Sequence, residues 1–278
     1  MEQKFLDACM ACDIETLKTL DYSKIDIHAN NEEEFRFACA NGRLDIVQFL
    51  LSLETTHGSI NIHTMEDDAF CWACENGQLA IIKLLLSLEE THGRIDIHAR
   101  DEHAFCLACE NGHIRIIQFL LTFEETHGCI DIHARNGFAF QSACEDGHLA
   151  VVKLLLSLEE THGQIDIHTH SEYAFRLACE NGHLTIVKLL LSLEETHERT
   201  NIHVLSDYAF RYTSFHIKHI LIQHDPNYDW KHIRGYDKYH AKLTRIVKRL
   251  ATLHQKMIQL RTDILELNVI GIVKEFLL

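Results

Sequence analysis

One wording recurs down this chain at a fixed interval. The stretch from Ala104 to His133, AFCLACENGHIRIIQFLLTFEETHGCIDIH, returns from Ala69, Ala139 and Ala174, and in weaker form from Glu34. The glycines of the Asn-Gly or Asp-Gly pairs, Gly42, Gly77, Gly112, Gly147 and Gly182, stand 35 residues apart. The Ile-His pairs ending at His63, His98, His133, His168 and His203 keep the same step of 35. A unit this short cannot bury an apolar face by itself, so a period in this range implies units that stack and share a core. With 278 residues the chain has room for one such array and a small appendage.

The unit reads as two helices and an extended return. From His103 to Glu110, Phe105, Ala108 and Cys109 recur at helical spacing and define one buried face. Asn111-Gly112 then ends that helix, because glycine takes the left-handed conformation without steric cost. The second helix, in its cleanest copy, carries Leu149, Val151, Val152, Leu154, Leu155, Leu156 and Leu158. That stripe is too wide for a single neighbour and suits burial between two adjoining units, with Lys153 and Ser157 on the wet side. The helix is expected to run out through Glu159, Glu160, Thr161 and His162 to Gly163, and Ile165-Asp166-Ile167-His168 alternates as an extended segment. Residues 1–28 are a divergent opening unit, shortened in or just after its second helix.

Composition narrows the class. The one proline, Pro226, argues for continuous helical structure. No apolar run is long enough to cross a bilayer, and the opening MEQKFLDACMACD does not read as a signal peptide. Cys39, Cys74, Cys109, Cys144 and Cys179 each follow an alanine inside a helix, where a thiol packs as a small hydrophobe and suits a reducing, cytoplasmic setting. Net charge is −15, divided as −21 over residues 1–230 and +6 over residues 231–278. An acidic array repels phosphate, so nucleic acid is excluded as its ligand.

The order helix, Asn-Gly, helix, Gly, extended return resembles the ankyrin repeat, chiefly through Ala-Cys-Glu-Asn-Gly-His followed by Leu-x-Ile-Val-Lys-Leu-Leu-Leu at Ala178–Leu191. The array departs from the usual Thr-Pro-Leu-His opening, which is replaced by His103-Ala104-Phe105-Cys106, and its hairpin tips mostly lack glycine. It is similar in this to the divergent ankyrin arrays of giant viruses and of intracellular bacteria such as Legionella. The resemblance implies an all-α solenoid of 35-residue repeats with short hairpin connections over residues 1–224, followed by a C-terminal cap over 225–278. In the cap, Leu243, Ile246, Leu250, Leu253, Met257 and Leu260 form a heptad seam, and Thr262-Asp263 is expected to start a last helix. The two helices are expected to dock on the array as a hairpin, their bases offsetting its acids.

The resemblance also implies a concave binding face along the hairpins and first helices. Differences between units there single out Arg100, Asp101, His103, Arg135, Phe138, Tyr173, Arg176, Tyr208 and Arg211 as partner-binding candidates. Aromatic and arginine side chains dominate binding hot spots. No nucleophile elbow, phosphate loop or zinc motif is present. Half of the 22 histidines form two ladders, His57 to His197 and His28 to His203. Equivalent imidazoles in repeats about 10 Å apart cannot share a zinc at bonds of about 2.0–2.1 Å, so structural hydrogen bonding is expected. The CxxC pairs Cys9/Cys12, Cys71/Cys74 and Cys106/Cys109 read as packing, and the paired acids such as Glu89-Glu90 as a solvated edge.

The sequence thus points to a monomeric, non-enzymatic scaffold without metal or cofactor. It would bind a protein partner, in keeping with an effector secreted into the cytoplasm of a host cell. The alternative is a targeting module whose basic C-terminal helices touch anionic membrane or nucleic acid.

Overall fold

The structure is a computed structural model that describes the backbone of residues 2–276 and the side chains of residues 2–259. Six first helices, Ala29–Ala40, Thr64–Glu75, Ala99–Glu110, Ala134–Glu145, Thr169–Glu180 and Val204–Tyr212, stack in series, each against the next. Each is followed by a second helix, from Leu44–Ser52 through Leu79–Ser87, Ile114–Leu121, Leu149–Ser157 and Leu184–Ser192 to Phe215–His224. One core runs the length of the stack. Phe35, Phe70, Phe105, Phe140, Phe175 and Phe210 sit at its centre, and the alternating isoleucines, such as Ile130 and Ile132, enter it from the return segments. The opening unit is shortened where expected, its second helix being Ile14–Lys18.

The Asn-Gly stop has two physical causes. Gly112 takes φ +72°, and the following His113 N–H closes the helix end on the Ala108 carbonyl at 2.8 Å. A Cβ on Gly112 would also lie 2.4 Å from Nδ1 of His148 in the next unit. Glycine therefore serves both the cap and the close approach of the neighbour.

Two expectations change. The second helix does not simply run out. After a bend it restarts as a short helix, as in Glu89–His92 and Glu124–His127, so the paired acids begin a helix. Carboxylates there face the favourable end of the dipole. The return segments form no strand among the described residues. Where a hairpin tip was expected, three successive residues in the opening turn of each first helix adopt left-handed helical angles. In the third full unit these are Arg100, Asp101 and Glu102, with φ of 53°, 58° and 59°.

The C-terminal piece differs most. The expected hairpin is replaced by a single helix, Tyr236–Phe276, uninterrupted at Thr262-Asp263. No glycine or proline lies between Tyr236 and Gly271 to stop it. Among the described residues, only its start docks. Trp230, Ile233 and Tyr239 are buried against the last unit, with the Trp230 ring 4.9 Å from that of Phe210. Beyond Leu243 the seam faces solvent: Leu250, Leu253 and Met257 are exposed, and Leu260 lies outside the described side chains.

Candidate functional site

Successive units are joined by a repeated polar stitch. His98 Nδ1 lies 2.8 Å from the Glu102 carboxylate and its Nε2 lies 2.9 Å from the His127 carbonyl of the next unit. Glu102 also accepts the Asp131 N–H of that unit at 3.0 Å. Both partners of the imidazole are acceptors, so both ring nitrogens donate and the ring carries a proton. The same arrangement joins His28 to Glu32 and His57, His63 to Asp67 and His92, and His168 to Glu172 and His197. Burial pulls the His28, His98 and His168 imidazoles down. Their hydrogen bonds and the nearby carboxylate charges outweigh it and hold all three above the ordinary range. In one unit Gly137 replaces the acid, and the His133 ring keeps its bond to the His162 carbonyl at 3.0 Å without a carboxylate partner.

The second histidine ladder stitches in the opposite direction. His92, His127, His162 and His197 reach back to Glu54, Glu89, Glu124 and Glu159 at 2.6–2.9 Å. The first acid of each pair is thus structural, while the second, such as Glu90 or Glu125, is exposed. Among the described residues, Glu124, Cys129 and His162 form one close group of metal-type donors. The same acid–histidine pair recurs beside Ser59, Arg94 and Gln164 in the other units, so the group is the stitch with a cysteine next to it. Cys71 and Cys106 are buried, and burial pushes both thiols up to about 12, away from reactivity.

The stitches place the left-handed turns and first helices side by side on one face. The nine candidates all lie there but divide into two groups. Arg100 is committed to the preceding unit, with Nε 3.0 Å from Glu66 and a terminal nitrogen 2.7 Å from Asp68, and it also reaches the Met65 carbonyl. Asp101 is exposed on its turn. Arg135 donates to His103 Nδ1 at 3.0 Å. Burial, then the charges of Arg135 and Arg100, hold His103 below the ordinary range, which keeps it a neutral acceptor.

The later units assemble a cleft. Phe138, Tyr173 and Arg176 line a volume of about 390 Å³ together with Gln141, Ser142, Glu145 and His170. The Arg135 guanidinium lies over Phe138 at 5.6 Å, and that of Arg176 lies between Tyr173 at 5.5 Å and Tyr208 at 5.2 Å. Arg176 is fixed from below by the carbonyls of Ser171 and His170, at 2.8 and 3.2 Å. Tyr208 donates to Glu180 at 2.8 Å, and Arg211 is exposed beside it. Glu145 was not singled out by sequence. It belongs to a run with Glu75, Glu110 and Glu180, at the far end of four of the six first helices. Burial first, and then like charge from Asp146, Glu110 and Glu180, raises its carboxyl above the ordinary range. Its period-35 recurrence was the available signal.

The stacked helix pairs and the glycine stops define a solenoid of helical repeats. A family model for ankyrin repeats matches residues 5–101 and 94–170, in three copies. The chain belongs to the ankyrin-repeat family. Ankyrin repeats generally mediate protein–protein interaction, as a non-enzymatic scaffold. No curated protein matches the chain.

Proposed function

We propose that the chain binds a protein partner through the face of its first helices, centred on the cleft of Phe138, Tyr173 and Arg176. The carrying observation is the Arg176 guanidinium held between two tyrosine rings by two backbone carbonyls. Such an anchor is ordered before binding, so little side-chain freedom is lost when a partner arrives. The half-buried rings of Phe138 and Tyr173 supply apolar area, and the exposed Tyr212 and Arg211 extend it toward the cap. A eukaryotic host protein is the partner this reading expects, since the array resembles those of intracellular bacteria and giant viruses. Action in a reducing cytoplasm agrees with ten free thiols.

The test is capture from eukaryotic cytosol by the full chain and by a Phe138→Ala/Tyr173→Ala variant whose melting confirms folding. A partner retained by the first and lost by the second supports the reading. Partners indifferent to both rings contradict it.

A further inference from the structure

The C-terminal helix leaves the array at the buried Tyr239 and carries a solvent-exposed apolar face. Ile246 is 36% exposed, Val247 56%, Leu250 59%, Leu253 56% and Met257 63%. The other side is basic: Lys242, Arg245, Lys248, Arg249 and Lys256, with no acid from Lys238 to Gln259. At 100° per residue the apolar positions from Leu253 round to Val247 cover about 120° of the helix surface. That is wider than the two-position seam of a coiled coil.

Charge decides what can cover this face. In a heptad register with Leu243, Leu250 and Met257 at one seam position, the flanking places hold Lys242, Arg249, Lys256 and His254. An antiparallel copy of the helix would set Lys242, Arg249 and Lys256 against one another, and a parallel copy would set Arg249 against His254 and offer no acid to any of these bases. The cover must therefore be anionic and must accept a broad apolar strip. A basic helix with such a strip has the form of those that lie in the headgroup region of a bilayer.

We infer that residues 241–259 bind an anionic lipid surface, with the apolar strip in the acyl boundary and the lysines and arginines at the headgroups. This is independent of what the array binds. The helix extends about 28 Å at 1.5 Å per residue. Screening over about 8 Å lets its distal part meet the membrane without repulsion from the acidic array.

The experiment uses the full chain and co-sedimentation with vesicles of phosphatidylcholine alone or with about 30% phosphatidylserine, to mimic an anionic leaflet. Two variants, Leu250→Asp/Leu253→Asp and Lys248→Glu/Arg249→Glu, alter only exposed side chains. Binding is expected with the anionic vesicles, weaker by about tenfold or more in either variant, and reduced by salt. Absence of binding, equal binding to neutral vesicles, or binding that survives both variants would overturn the inference. So would a concentration-dependent dimer abolished by Leu250→Asp/Leu253→Asp, or tighter binding to a DNA duplex or an acidic helical peptide than to vesicles.

Discussion

The left-handed turn shows how single residues are held in a conformation they do not favour. Each non-glycine residue there costs roughly 1–2 kcal/mol. Met65, Glu66 and Asp67 take it with no glycine or asparagine among them. The offset comes from the third residue, whose carboxylate bonds both the histidine four places back and the next unit's backbone. Hydrogen bonds to charged groups contribute about 1.5–3 kcal/mol each. The histidines give this stitch a pH dependence of definite sign. An imidazole with a raised folded pKa stabilises fully below its unfolded value of about 6.5, and the contribution is lost as pH rises through the folded value. His28, His98 and His168 are raised and only His103 is lowered. The array should therefore melt higher at about pH 6.5 than at about pH 8, and His98→Gln should reduce the difference. A flat profile, or one unaffected by His98→Gln, would contradict the charged stitch. A second prediction concerns Glu198, which has φ 70° and ψ 169° where the other units place a glycine. That region is almost reserved for glycine, so Glu198→Gly should raise stability by about 1 kcal/mol in denaturant unfolding.

At the scale of elements, what was legible in the sequence was what local chemistry decides. Gly112 and its equivalents marked helix ends, and the alternation of Ile130 and Ile132 marked burial. The left-handed turns were not legible, because contacts 29 residues away hold them. The site was half legible. Substitutions along the stack pointed to Phe138, Tyr173 and Arg176, but nothing local revealed that Arg100 is taken up by Glu66 and Asp68. The cap illustrates the same limit. Asp225 stands 3.3 Å from His203 Nε2, where every earlier unit offers a carbonyl, and Tyr228 donates to Asp207 at 3.2 Å. Side chains of the cap thus take over the contacts a seventh unit would make. Trp230 closes the core above Phe210, so Trp230→Ala should cost about 3–5 kcal/mol. Hydrogen exchange should show that loss first in Val204–Tyr212 and Phe215–His224, since a solenoid unit depends mainly on its neighbours. Loosening spread evenly over all units would contradict this role for the cap.

Over the whole molecule, structure and charge separate two surfaces. The array, at −21 over residues 1–230, presents a polar and aromatic face, while the described part of the last helix presents bases beside an apolar strip. Recognition is proposed to occur on the first-helix face. The most direct measurement is hydrogen–deuterium exchange of the chain with its captured partner. Protection should concentrate in Ala134–Glu145 and Thr169–Glu180 and in the turns that open them. Protection confined to the second helices, such as Leu149–Ser157, or to the helix after Tyr236, would contradict it.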